Sequence, residues 1–239
     1  MPVVTIARQL GSGGEEIAAA VAARLEVPLW DHELLVQASE QTGIPLHYLE
    51  DLDERGRSAW RRPIDLVRLI PLPPINPEVP DVLGDRYPPT GPLVARGGGL
   101  VSPAYWAAEA YAALLARTMQ ALAASGAAVL VGRAGNEALA GMPGVLHVLV
   151  VGSLRRRIER VMAAEGLDPF DALDRVKESD RNRAAYVRQF FGADWLSPLR
   201  YDLVINTDQL EPEAAADLIA QAARARTTPA ATPAAVPAA

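Results

Sequence analysis

Apolar positions in this chain fall in short unbroken runs separated by longer stretches with a four-residue repeat. Val3-Val4-Thr5-Ile6-Ala7 is such a run; it stops at Arg8 and enters Gln9-Leu10-Gly11-Ser12-Gly13-Gly14. From Glu15 to Leu25 the apolar residues Ile17, Val21 and Leu25 recur at helical spacing. Val27-Pro28-Leu29-Trp30 predicts a short second strand ending at Asp31, and His32 to Ser39 a further helix. Ala104 to Ala124, rich in Ala, Leu and Met, predicts a long helix. Ala127 to Gly132 and Val145 to Val151 are near-continuous apolar strands, the pattern of strands buried on both faces of a parallel sheet. Ser153 caps a helix carrying Arg155, Arg156, Arg157 and Arg160; after Asp168-Pro169 a second polar helix runs to about Phe191. Tyr201 to Thr207 predicts the last strand and Glu211 to Ala225 the last helix. Strands alternating with helices predict an α/β fold with a parallel, doubly wound sheet of about five strands.

Two stretches interrupt this order. Gly43-Ile44-Pro45 breaks the second helix, and from Pro63 to Pro103 proline recurs throughout, with Gly97-Gly98-Gly99 near its end. Proline removes backbone donors and glycine adds chain entropy, so residues 54–103 predict an irregular excursion, either a binding flap or disorder. Arg55, Arg57, Arg61 and Arg62 stand at its start, as a solvated charged face or as a clamp for a substrate phosphate. From 226 to 239 only Thr, Pro, Ala, one Val and Arg226 remain, a low-complexity tail. The organisation expected is therefore one domain over residues 1–225 followed by that tail.

Half of the 239 residues are apolar, enough for a sizeable core, and the formal net charge is −6. That balance argues against a nucleic-acid polymer as partner, because such binding runs on phosphate neutralisation by Lys and Arg. Cysteine is absent, which removes disulfides and thiolate metal sites. His32, His47 and His147 lack metal-ligand spacing. No run approaches the ~20 apolar residues of a membrane span, and Val3 to Ala7 is too short for a signal region. A soluble, cytoplasmic protein with a small-molecule partner, no membrane and no indicated oligomer is expected.

The chemistry centres on residues 8–15. A glycine-rich turn between a strand and a helix lets backbone N–H groups hold phosphate. Laid over the phosphate-loop pattern G-x-x-x-x-G-K-[ST], the chain has Arg8 for the first glycine, Gly13 for the second, Gly14 for the lysine and Glu15 for the hydroxyl residue. Gly11, Ser12 and Gly13 survive while the cation and the magnesium-binding hydroxyl do not. A plain glycine turn or a dinucleotide loop remains open: Gly11-x-Gly13 begins that fingerprint, but its third glycine falls at Glu16. Asp31 is then a helix cap, a ribose contact or a residue near magnesium. Arg133, just past a strand end, suits a phosphate or a helix carboxylate. Lys177 to Arg183 alone reads as a solvated helix face.

Several pieces together resemble the cytidylate kinase-like proteins among the nucleoside monophosphate kinases. They are residues 4–18 with Leu25 to Asp31, then Val129-Leu130-Val131-Gly132-Arg133, Asp180-Arg181-Asn182-Arg183-Ala184, and Tyr201 to Thr207. The resemblance implies a P-loop kinase fold with a helical lid over residues 153–191 and ATP with Mg2+ as cofactors. ATP phosphates would lie on Gly11, Ser12, Gly13, Gly14 and Glu15, with Glu15 on the metal. Arg8, Arg133 and Arg157 would be the catalytic cations, Arg155 to Arg157 lying on the helix that approaches ATP. Asp31, Arg133, Asp180 and Arg183 would hold the acceptor. Gly14 and Glu15 depart from cytidylate kinases proper, as do Ala134, where an acid follows the strand-end arginine, and Val176, where a lid arginine stands. The function expected is phosphoryl transfer to CMP or dCMP; the alternatives are a catalytically weak or inactive nucleotide-binding sensor or interaction module on a kinase fold and, on Gly11, Gly13 and Asp31 alone, a dinucleotide oxidoreductase.

Overall fold

The structure is a computed structural model and describes residues 2–31, 34–36, 38 and 103–227. The arginine group at 55–62, the proline-rich excursion up to Ser102 and the tail from 228 lie outside these. The chain divides into two units, His32–Thr118 and the remainder, Met1–Asp31 with Met119–Ala239. In the His32–Thr118 unit the described residues are helical, and Leu34, Leu35 and Ala38 are buried.

The larger unit holds a parallel sheet. Its strands are β1 (Val3–Arg8), β2 (Leu29–Trp30), β3 (Ala128–Val131), β4 (Val145–Val151) and β5 (Leu203–Asn206). Among the described residues the order is β2-β3-β1-β4-β5, every pair parallel. The second and third strands lie on one side of β1 and the fourth and fifth on the other, so the winding reverses about β1. Val3 pairs with Ala128 on one side and Val145 on the other, which is why Val3, Val4, Thr5 and Ile6 are all buried and show no alternation.

Helices follow the strands: α1 (Gly14–Leu25), α2 (Pro103–Ser125), α3 (Gly135–Ala138), α4 (Leu154–Glu165), α5 (Pro169–Phe191) and α6 (Pro212–Thr227). The divide between the units falls within α2. The stripe Ile17, Ala18, Val21 and Ala22 of α1 meets Ala215, Ala216, Ile219 and Ala223 of α6 over Val4, Ile6, Val129, Val148, Val150 and Ile205. Each fully buried Val or Ile contributes about 1.5–3 kcal/mol, so the strand that delivers Arg8 is anchored by the main core. α6 continues through Thr227, two residues into the stretch expected as tail. Arg226 explains this: it donates to Val145 O at 2.6 Å and pairs with the Asp202 carboxylate.

α4 and α5 form the helix pair expected over 153–191. Ser153 accepts from the Arg156 amide at the start of α4, and Gly166 closes it at φ 68°. Asp168 caps α5, with Pro169 in its first turn. Val161, Ala172 and Val176 are buried between them, with Leu10 of the glycine-rich turn packed alongside. An arginine at 176 would be buried there, which accounts for the valine. Ala134 likewise packs with Val187, Ala193 and Trp195. No described helix is long and apolar enough to cross a membrane.

Candidate functional site

Because the strands are parallel, residues at or just past their carboxyl ends share one edge of the sheet: Arg8, Asp31, Arg133 and Thr207. In open α/β sheets this is the ligand-binding edge. The glycine-rich turn extends β1 here, Gln9 N–H donating to Val150 O at 3.1 Å.

The turn is closed on itself. Gly11 and Gly13 take φ of 75° and 76°, a region open to glycine and costly to a side chain. Ser12 is fully buried; its amide and its hydroxyl both donate to Gln9 O, at 3.1 and 2.7 Å. A Cβ at Gly11 would stand 2.4 Å from the backbone oxygen of Arg157, so the turn lies directly on α4. At Gly13 a Cβ would meet nothing within 4 Å. α1 then starts at Gly14, and its first N–H groups have no partner within the helix. With the helix dipole they present a positive end.

Arg8 lies across this helix start. A Cβ at Gly14 would come 2.5 Å from Arg8 Cβ, and one at Gly132 would come 2.8 Å from Arg8 Nη1. The arginine therefore runs in a slot walled by two glycines and covers the place where a residue-14 side chain would leave the backbone. Its Nη2 donates to Glu15 Oε1 at 3.0 Å and to Asp31 Oδ2 at 3.2 Å. Arg133, at φ 47°, donates from Nη1 to Asp31 O at 2.7 Å and to Asp31 Oδ1 at 3.2 Å. Arg8, Glu15, Asp31 and Arg133 are thus one connected network.

The arginines of α4 divide by face. Arg155 and Arg156 point to solvent and pair with Glu159 at 2.9 and 3.4 Å. Arg157 is turned inward, 3% exposed. Its Nε donates to Leu10 O at 2.8 Å, and its two Nη donate to Asp180, Nη1 to Oδ2 at 2.9 Å and Nη2 to Oδ1 at 2.7 Å. The side chains of Arg157 and Asp180 thus bond each other and the turn. Arg183, one turn further along α5, donates to Ser179 Oγ. Burial and then the nearby Arg8 cation lower its pKa to about 10, against the opposing pull of Asp180. An anion arriving beside Arg183 would offset the hydration that its guanidinium loses on burial.

Two residues here carry no expectation from sequence. Arg160 donates from Nη1 to Gly11 O at 3.3 Å and to Thr207 Oγ1 at 2.9 Å, and from Nη2 to Thr207 O at 2.8 Å. Thr207, 2% exposed, donates its hydroxyl to Ser12 O at 2.8 Å. The signal for Arg160 was its place three residues after Arg157, on the same helix face; Thr207 had none beyond following a strand.

The family model for the cytidylate kinase-like family matches residues 3–209. A crystal structure of an uncharacterized protein from Eubacterium ventriosum superposes with a TM-score of 0.62 at 20% identity, covering 95% of this chain and all of that one; the likeness speaks to fold. A shikimate kinase from Bacteroides thetaiotaomicron gives a TM-score of 0.47 at 13% identity over 93% of this chain and 98% of that one. A uronate isomerase from Corynebacterium glutamicum is 32% identical over 99 residues, 41% of this chain; the chain spans only 19% of that protein's length.

Proposed function

This chain belongs to the cytidylate kinase-like family, and on that premise we propose that it transfers the γ-phosphoryl group of ATP to a nucleoside monophosphate, CMP or dCMP first. An acceptor phosphate oxygen bonds to the γ-phosphorus, the bond to the β,γ-bridging oxygen breaks, and ADP leaves. Membership of the family supports nucleotide kinase-type chemistry in a P-loop fold; the acceptor and the arginine-based loop are our reading.

The observation that carries it is the fit of Arg8 against Gly14. Phosphoryl transfer asks a protein mainly for positioning and charge neutralisation. A loop without its lysine lacks one charge-assisted contact, a loss of roughly 3–4 kcal/mol of barrier at comparable donors. Arg8 supplies a cation from the strand side, its aliphatic stem running through the space that the glycine at 14 leaves and its guanidinium reaching Glu15 and Asp31 beyond.

The residues present fit ATP and Mg2+. The opening beside Gly13 and the first amides of α1 would take phosphates over Gly11 to Glu15. Glu15 and Asp31 direct carboxylate oxygens at the same Arg8 Nη2, and Mg2+ needs only one or two protein carboxylates beside phosphates and water. When bound, ATP with Mg2+ supplies the phosphoryl group and neutralises part of its charge. In this reading Glu15 would hold the metal, Arg8 would neutralise the phosphates, Arg133 would hold the acceptor phosphate, and Arg183 with the Arg157–Asp180 pair would border the nucleotide. The partner is a small nucleotide rather than a polymer or a membrane.

The test is ADP release with ATP over the panel of nucleoside monophosphates. CMP or dCMP is expected to give the fastest turnover, and no turnover with any acceptor overturns the reading. A second reading, a nucleotide sensor without turnover, is favoured by Arg8 being paired with both carboxylates at rest. It holds if ATP or CMP raises the melting temperature while no ADP forms.

A further inference from the structure

Successive carbonyl oxygens of the glycine-rich turn are each taken by a side chain from outside it. Leu10 O accepts from Arg157 Nε at 2.8 Å, Gly11 O from Arg160 Nη1 at 3.3 Å and Ser12 O from Thr207 Oγ1 at 2.8 Å. In a planar trans peptide the carbonyl and the following N–H point in opposite directions. Holding Leu10 O therefore aims the Gly11 N–H away from α4, and holding Ser12 O aims the Gly13 N–H away from Thr207. The peptide between them is bonded on both sides, since Ser12 N–H donates to Gln9 O.

We propose that Arg157, Arg160 and Thr207 are positioning residues that fix the peptide planes of the turn, so that the Gly11 and Gly13 amides face the anion side before any ligand arrives. Turns with two left-handed glycines have low-cost peptide flips, because glycine populates positive and negative φ alike. A flipped Ser12–Gly13 peptide would present a carbonyl oxygen to phosphate instead of a donor. Thr207 is the keystone: its one O–H donates to Ser12 O while its lone pairs accept from Arg160. Arg160 in turn grips both the Thr207 carbonyl and Gly11 O. The end of β5, in the last third of the chain, thereby sets the geometry of a turn near its start.

As a statement about phosphate binding this rests on the nucleotide reading above, and the experiment separates the two. Thr207→Val keeps the shape and removes the hydroxyl; Thr207→Ser keeps the hydroxyl. Two readouts are taken on each full-length protein: amide hydrogen exchange, and calorimetric binding of ATP and of inorganic triphosphate. Thr207→Val is expected to speed exchange of the Ser12 amide about tenfold while the Val4 and Ile6 amides of β1 stay unchanged. It is expected to weaken both ligands about tenfold, the ordinary effect of one lost bond, and Thr207→Ser should restore both readouts. If the unsubstituted protein binds ATP but Thr207→Val changes neither Ser12 exchange nor affinity, the positioning role is overturned and the nucleotide reading stands. Should the unsubstituted protein bind neither ligand, the nucleotide reading falls and the exchange result alone decides whether Thr207 fixes the turn. Equal acceleration of Ser12, Val4 and Ile6 overturns the role as well, since it marks general loosening.

Discussion

The loop pattern suggests that a lysine restored at position 14 would repair the site; the structure predicts the opposite. At Gly14 the Cβ of any side chain would lie 2.5 Å from Arg8 Cβ and 3.3 Å from Arg8 Cγ and Cδ. Both Cβ positions are set by backbone, one at the end of β1 and the other at the start of α1, so the contact cannot be relieved by a rotamer change alone. Overpacking of this kind costs about 1–3 kcal/mol. Against it stands the helix preference for Ala over Gly, at most about 1 kcal/mol. Gly14→Ala is therefore expected to destabilise by up to about 2 kcal/mol net. At about 2–4 °C per kcal/mol for a chain of this size, the fall in Tm is readable by calorimetry. Removing the opposing Cβ with Arg8→Gly should abolish the penalty, so that Gly14→Ala becomes neutral or stabilising in that background. The double-mutant cycle then shows a coupling of about 1–3 kcal/mol. Gly14→Lys should follow the same rule: worse than Gly14→Ala alone, tolerated with Arg8→Gly, and in that pair able to restore nucleotide affinity lost with the arginine. If Gly14→Ala instead raises Tm, and does so equally with and without Arg8, the slot reasoning is refuted.

Arg8→Met keeps the stem in its slot and removes the charge, so turnover in the ADP-release assay should fall about 100–1000-fold, with Tm little changed; an unaltered rate would remove Arg8 from the chemistry. Gly11→Ala forces a left-handed residue, at about 1–3 kcal/mol, and drives a Cβ into the Arg157 backbone oxygen; loss of ATP binding with a large drop in Tm is expected, and wild-type affinity would contradict the close approach. Asp180→Asn leaves the buried Arg157 without its charged partner and should cost about 1.5–3 kcal/mol by denaturant titration. His147, bonded through Nδ1 to Thr5 Oγ1 at 2.8 Å, has its pKa lowered from 6.5 chiefly by burial, with Asp202 pulling the other way. The unfolded chain then takes up the proton first, so stability should be steady above pH 6.5 and fall as pH drops through that value. His147→Gln should flatten the slope in melting curves taken from pH 8 to 5, and a slope unchanged by that substitution would refute the assignment.

The strand, turn and helix from Val3 to Leu25 were legible because each is written in local pattern: an unbroken apolar run, paired glycines, a four-residue stripe. The parallel sheet was legible for the same reason. Strand order was not, since pairing Val3 with Val145 is decided by the whole core and leaves no local mark. α3 is four residues long and the turn at Pro198–Arg200 three, too short for any period to show. Among the α4 arginines charge alone could not separate Arg157 from its neighbours; only its phase with Val161, four residues on, distinguishes the inward face. The course of Arg8 was invisible for a different reason. A vacancy at Gly14 and a long side chain at the end of the strand are separate letters until the fold lays one over the other.

That shared space has a consequence for descent. A loop holding both a lysine at 14 and an arginine at 8 is overfilled, and one holding neither lacks its charge. Drift between the two forms must cross a poor intermediate whichever change comes first. Chains on this scaffold should accordingly fall into two camps, arginine with glycine or glycine with lysine, and a search keyed to the lysine alone would pass over the first camp entirely.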